Sequence, residues 1–416
     1  MRSVELFAGA GGLALGCELA GFHPALVVEW DRWACDTIRH NQAADYPLVR
    51  EWNLVEGDVR SVDWGSVEGP IDLVSGGPPC QPFSMGGKHG AAQDRRDMFP
   101  AATEVIRAVQ PRAFIIENVR GLTRSTFANY YQYILLRLSY PESVRRDPET
   151  WVDHFHRLQA EQTSSEHGLA YNVVPTVVNA ADYGVPQQRH RVIIVGFRSD
   201  VDAEWSFPDA THSKQVLLHD QWVTGSYWER HRVKPGDRPT APDSPPELPR
   251  QDCDLRPWRT VRDALVGLPE PLPHGTANAL NHVLQPGARP YVGHTGSHLD
   301  LPAKTLKAGD HGVPGGENMM LRQDGSVRYF TVRESARLQT FPDRYELHGS
   351  WTEAMRQLGN AVPVLLAQRL AGSVAEHLAI AGMGVLPLPG CRRAGGPPPL
   401  RGGGATRSSG GNRLTA

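Results

Sequence analysis

The sequence predicts a doubly wound, mostly parallel α/β sheet of Rossmann-like type, joined to a smaller loop-rich domain. Two observations carry that expectation. Residues 4–7, 25–28, 71–74, 113–116 and 192–195 are short apolar runs without alternation, the pattern of strands buried on both faces. Helical stretches separate the early runs, and strands alternating with helices imply parallel crossovers. A third observation marks the second domain. From about residue 206 Trp, Pro, His and Arg become frequent, periodicity weakens, and stretches such as 239–249 read as loop.

The elements follow in order. The first strand, 4–7, runs into the glycine turn Ala8-Gly9-Ala10-Gly11-Gly12 and a helix over 13–20. The second strand, 25–28, precedes a helix over 31–41. Residues 141–170 look like an insertion, with a polar helical stretch from 149 to about 162. Helices are expected again at 333–340 and 364–381. The domains then divide as 1–205 and 331–384 for the sheet domain and 206–330 for the second domain. Residues 385–416, rich in Gly, Pro, Arg and Ser, read as a disordered tail.

Bulk properties exclude more than they identify. The 416 residues are 40% hydrophobic and 21% charged with a net charge of −2, so no global positive field announces a polyanion. Five scattered cysteines without a CxxC pair argue against a disulfide framework or a zinc cluster, and no metal site is expected. With neither a signal peptide nor an apolar run of about 20 residues, the expected location is the cytoplasm, with no membrane partner.

Chemistry-bearing residues gather at predicted strand ends. The glycine turn would let a ligand approach the backbone closely, and Glu29, at the tip of the second strand, is spaced to grip ribose hydroxyls. Those features alone leave NAD, FAD and adenosylmethionine open, along with a bare tight turn. Asp58, in Gly57-Asp58-Val59, suits an adenine edge or a simple turn cap. Cys80 follows the 71–74 strand inside Ser75-Gly76-Gly77-Pro78-Pro79-Cys80-Gln81-Pro82-Phe83-Ser84. A lone cysteine is ordinarily a small buried hydrophobe, but this Pro and Gly frame argues for a positioned, exposed thiol. Glu117 ends the 113–116 run. Gln187-Gln188-Arg189-His190-Arg191 precedes the next strand and would bring two guanidinium groups to the same edge.

Taken in order, Phe-Ala-Gly-Ala-Gly-Gly-Leu, Pro-Pro-Cys-Gln-Pro-Phe-Ser, Glu-Asn-Val, Gln-x-Arg-x-Arg and Gln357-Leu358-Gly359-Asn360-Ala361-Val362-Pro363 closely resemble the cytosine-5 DNA methyltransferase family of bacterial restriction-modification type. Residues 179–186 and 333–339 add to the match, which spans about 2–200 and 330–380. The resemblance implies a class I methyltransferase fold, S-adenosyl-L-methionine as cofactor and transfer of its methyl group to carbon 5 of a flipped-out cytosine in duplex DNA. By that resemblance Cys80 is the nucleophile and Glu117 holds ring nitrogen 3. Arg191 contacts the base carbonyl, and Arg189 supports the site and its anions. Phe7, Ala8, Gly9, Gly11, Gly12, Leu13, Glu29, Trp30, Asp58, Val59, Pro79, Met98, Asn360 and Val362 fall at cofactor positions.

The resemblance also places Gln81, Ser84, Arg95 and Thr305 at DNA, and makes residues 86–98 a closing loop. Residues 206–330 become the target-recognition domain, in which Arg230, Arg232, Lys234, Lys304 and Lys307 are candidates for phosphate contacts. A monomer is expected, functionally paired with a restriction endonuclease. Three readings compete. The first is a cytosine-5 RNA (tRNA) methyltransferase, disfavoured by the long variable segment. The second is a nucleotide-dependent oxidoreductase, which leaves Cys80 and Glu117 without a role. The third is a non-catalytic DNA-binding relative.

Overall fold

The computed structural model describes residues 1–79, 97–162, 168–244, 246–252, 254–290, 295–308 and 318–382. Cys80, Gln81, Ser84, Arg95 and the expected tail lie outside the described residues. The chain opens with β1 (Arg2–Leu6), α1 (Gly12–Leu19), β2 (His23–Glu29), α2 (Arg32–Ala43), β3 (Leu54–Glu56) and β4 (Leu73–Gly76). There follow α3 (Phe99–Val109), β5 (Ala113–Val119), α4 (Ala128–Ser139), α5 (Trp151–Glu161), β6 (Tyr171–Asn179) and β7 (His190–Arg198). Strands β1 to β7 form one sheet in the order β3-β2-β1-β4-β5-β7-β6.

The pairs from β3 to β5 are parallel, and β7 runs antiparallel to both β5 and β6. The mostly parallel class is therefore as expected. Two strands, β3 and β6, are absent from the sequence expectation. β3 has three residues, and β6 carries Pro175 and exposed positions at the sheet's edge, so neither shows the buried apolar run.

Alternation along the strands assigns the two faces. Val4, Leu6, Val74, Phe114, Ile116, Val192 and Ile194 pack under α3, α4 and α5. Leu73, Ala113, Ile115, Ile193 and Val195 pack on the opposite face, against α1 and α11 (Val364–Gly382). Gly16 makes the α1–α11 approach possible, since a Cβ there would lie 2.3 Å from the Cβ of Ala367. The α5 helix fits the polar stretch expected near 149–162; Thr150 and Asp153 form its capping box, satisfying two end donors.

The middle of the chain contains β8 (His212–Ser213), α6 (Lys214–Trp222), α7 (Ser226–Arg230), β9 (Arg256–Pro257) and α8 (Val261–Leu265). It continues with β10 (Ser297–His298), β11 (Met319–Leu321) and β12 (Val327–Tyr329). One small core there joins Leu217, Tyr227, Trp228 and Trp258 to Ala181 of the sheet domain. Another joins Val261, Ala303, Leu306 and Phe330 to Leu338. The chain returns through α9 (Val332–Leu338), α10 (Trp351–Asn360) and α11. Residues from α9 and α10 complete a third core around Ala10, Leu15, Val27 and Ile38. Among the described residues no helix is long and apolar enough to cross a membrane.

Candidate active site

The glycine turn is held in an uncommon backbone shape. Phe7 has φ +52°, Gly9 +55° and Gly11 +88°, and a positive φ on a phenylalanine is a strained state that its surroundings must enforce. Tyr345, fully buried in the return segment, donates from its hydroxyl to Ala10 O at 2.9 Å. That prop, supplied from more than three hundred residues away, has no signal in the local sequence. Among the described residues nothing lies within 4 Å of where a Cβ on Gly9 would stand, so none of them closes the turn there. Gly12 is closed in: a Cβ would meet Val362 O at 2.4 Å, fixing the return segment against the start of α1.

Glu29, at the end of β2, is buried and accepts three backbone N–H bonds. They come from Gly9 at 2.7 Å, Trp30 at 2.9 Å and Asp31 at 2.7 Å. Burial pushes its carboxyl upward in pKa, and these three donors pull the other way. The Trp30 ring beside it is 73% exposed, an unusual state for a side chain of that size. Asp58 caps a 3-10 turn over Val59–Ser61 and pairs with Arg60, which holds its carboxyl below the usual range. Asn360 ends α10 exposed, with Val362 buried two residues on. Gly9 and Glu29 are thus joined where β1 and β2 end, beside the exposed Trp30 ring, and Val362 is held against Gly12 at the start of α1.

The chemical edge is built by β4, β5 and β7. Glu117 is buried near the end of β5, and Arg191 opens β7 opposite Val119. Because β7 is antiparallel, a motif that precedes it in sequence arrives at the end where β4 and β5 finish. Arg191 Nε lies 2.7 Å from Glu117 Oε1. Gly77 leaves room for this carboxylate, since a Cβ there would stand 3.0 Å from Glu117 Oε2. Asn118 donates to Pro78 O at 2.9 Å, and Met98 N donates to Pro79 O at 3.1 Å. Those two bonds fix both ends of the segment that contains Cys80.

Arg189 turns its guanidinium into the protein, within electrostatic reach of Glu117. It is fully buried and donates to Leu306 O at 3.0 Å and Gly359 O at 2.7 Å. Its backbone precedes β7, and the 303–306 segment packs over it. Thr305 donates to Gln188 O at 2.6 Å, and Gln188 N donates to Ala303 O at 2.8 Å. Gln187, quoted in the sequence motif without a role, accepts from Leu306 N at 3.0 Å and donates to Leu338 O at 3.3 Å.

In the middle region several sequence landmarks hold structure. Arg262 pairs with Asp300 at 2.6 Å. His282 is buried against Thr331 Oγ1 and Pro269 O. Arg230 lies over the Tyr227 ring, and Lys304 reaches Thr295 Oγ1 at 3.3 Å.

The family model described as C-5 cytosine-specific DNA methylase matches residues 1–140, 154–234 and 286–376. The internal unmatched spans, 141–153 and 235–285, fall in the expected insertion and in the middle region, and the match ends before residues 377–416. Among curated relatives, the Type II methyltransferase M.Eco47II of Escherichia coli is 31% identical over 381 residues, covering 90% of this chain and 79% of its own length. The Type II methyltransferase M.NgoMIV of Neisseria gonorrhoeae is 30% identical over 380 residues, covering 90% and 97%. The S. pombe Dnmt2 methyltransferase structure has a TM-score of 0.51 at 16% identity, covering 92% of this chain and 99% of its own. A prophage-encoded DNA modification methyltransferase structure from E. coli gives 0.55 at 19% identity, covering 91% and 99%. These two structural matches speak for the fold.

Proposed function

Because the chain belongs to the C-5 cytosine-specific DNA methylase family, we propose that it transfers the methyl group of S-adenosyl-L-methionine to carbon 5 of a cytosine extruded from duplex DNA. The observation that supports this most directly is the buried Glu117–Arg191 pair, 2.7 Å apart at the edge where the Cys80 segment is anchored. The relatives are Type II methyltransferases, so the biological role we assign is modification of a restriction site. We take residues 206–330 as the part that reads DNA, a monomer as the working unit and the cytoplasm as its location.

Cytosine carbon 5 is too weak a nucleophile to react unaided. In this reading the Cys80 thiolate adds to carbon 6, and electron density moves to ring nitrogen 3, where Glu117 supplies a proton or hydrogen bond. Carbon 5 becomes enamine-like and takes the methyl group, whose bond to sulfur breaks and leaves S-adenosyl-homocysteine as product. A base then accepts the proton of carbon 5, and the electron pair left behind restores the ring and expels the Cys80 thiolate. Arg191 orients Glu117 and donates toward the base carbonyl. Carbon 6 is stacked inside the duplex, so the nucleotide must leave the helix, at a cost of a few kcal/mol.

The residues at the glycine turn fit the proposed cofactor. Glu29 keeps lone pairs for ribose hydroxyls, the exposed Trp30 ring offers a face for adenine, and Asp58 stands at the next strand end. Bound there, S-adenosyl-L-methionine supplies an electrophilic methyl group.

Bisulfite mapping of DNA from cells expressing the protein tests the reading. We expect 5-methylcytosine at one recurrent sequence, and none with Cys80→Ala, which should still bind the cofactor. Methylation of transfer RNA alone, or appreciable turnover by Cys80→Ala, would sink it.

A further inference from the structure

Arg189 is a buried cation with an arrangement that packing alone does not require. Its side chain is fully buried, and among the described residues no carboxylate lies within ion-pair distance of it. Its two Nη groups donate to carbonyls from separate parts of the chain, and Nε has no hydrogen-bond partner. Burial and the like charge of Arg191 both disfavour its charged form, with Glu117 acting the other way. Removing such a group from water is expensive, and the two carbonyl bonds are its main compensation.

Those carbonyls lie at informative places. Leu306 follows Thr305 in the segment laid over the start of β7, and Gly359 precedes Asn360 at the end of α10. The two segments also touch directly, because a Cβ on Gly359 would lie 2.3 Å from Ala308 N. If either segment moved alone, Arg189 would lose a bond to a buried charge. Leaving a buried charged donor unsatisfied costs more than leaving a neutral one so. Movement of one segment is thereby tied to movement of the other.

We propose that Arg189 is a positioning residue that couples cofactor binding at the Asn360 side to DNA binding through residues 303–308. The proposal rests on the reading of the two sides given above. Coupling between binding sites is reciprocal, so each ligand would tighten the other by the same factor.

The test uses the full chain, S-adenosyl-homocysteine as a non-reactive probe, and an unmethylated duplex carrying the mapped site. In the wild type, saturating probe should tighten DNA binding by about fivefold or more. Arg189→Lys keeps the charge but cannot reach both carbonyls with separate donors. In this variant the ratio should fall below about twofold, the direction set by a lost coupling energy. A residue that only supported the fold would weaken both affinities and leave the ratio unchanged, and that result would overturn the proposal. So would a wild-type ratio of one with both ligands still bound. Failure of the wild type to bind the probe at all would instead refute the cofactor reading, and this proposal with it. Should Arg189→Lys not fold, amide exchange of the wild type decides: the probe alone must slow exchange across 303–308, and unchanged exchange counts against the coupling.

Discussion

Glu117 and Arg191 meet diagonally across antiparallel neighbours: Glu117 stands opposite Ile193 and Arg191 opposite Val119, with Nε and Oε1 2.7 Å apart. Both side chains continue the row formed by Ala113, Ile115, Ile193 and Val195, the face covered by α11. A paired buried charge is stable only while both members remain.

Arg191→Met should therefore destabilise the fold by about 3–5 kcal/mol, the range for a buried pair broken on one side. Glu117→Gln in the same chain should recover part of that loss. A double-mutant cycle by chemical denaturation measures it; simple additivity of the two changes would show that the pair is not coupled. Glu117→Gln alone should lower the methylation rate by about 100-fold or more, from loss of acid chemistry at the base.

Glu29→Ala leaves the N–H groups of Gly9, Trp30 and Asp31 without their acceptor. Affinity for S-adenosyl-L-methionine should fall by at least about tenfold, as expected when roughly 1.4 kcal/mol or more of contact is lost. The mapped DNA site should be unchanged. Equilibrium titration of the cofactor reads the first effect, and an unaltered Kd would remove Glu29 from the ribose.

Glu5 lies inside the sheet, accepting from Ser3 and Ser75, and burial raises its pKa to about 7. The folded state thus holds this proton more tightly than the unfolded chain. Its contribution to stability is full below the unfolded value near 4.5 and is lost as pH rises through about 7. Glu5→Gln should match the wild type near pH 4.5 and exceed it at pH 8, by on the order of 2–3 kcal/mol. Denaturation midpoints at the two pH values check this; a gain of equal size at both would mean that no titration is involved.

Much of the catalytic half was legible because its determinants are local. The runs 113–116 and 192–195 are buried on both faces and therefore apolar throughout, 71–74 departs from this only at the partly buried Asp72, and glycines mark the turn after β1. β3 and β6 escaped because their short or edge-exposed residues do not need that pattern. At the site, residue types indicated Glu117 and Arg191, but nothing local distinguishes Arg189 from Arg191. Two guanidinium groups two positions apart differ in distant partners, the carbonyls of Leu306 and Gly359 for Arg189 and the Glu117 carboxylate for Arg191. Tyr345 under the glycine turn was hidden for the same reason.

The reversed direction of β7 has a consequence for how such a chain can diversify. The seam between residues 186–188 and 303–306 is stitched by two main-chain bonds, Ala303 N to Pro186 O and Gln188 N to Ala303 O, and by two bonds that use side chains outside 206–302, Thr305 Oγ1 to Gln188 O and Leu306 N to Gln187 Oε1. Peptide groups are common to every sequence, so most of this seam makes no demand on which side chains occupy 206–302. If residues 206–330 read DNA as proposed, side chains of that stretch outside its packed contacts with Ala181 and Leu338 can change while this seam, and the edge holding Glu117 and Arg191, stay as they are.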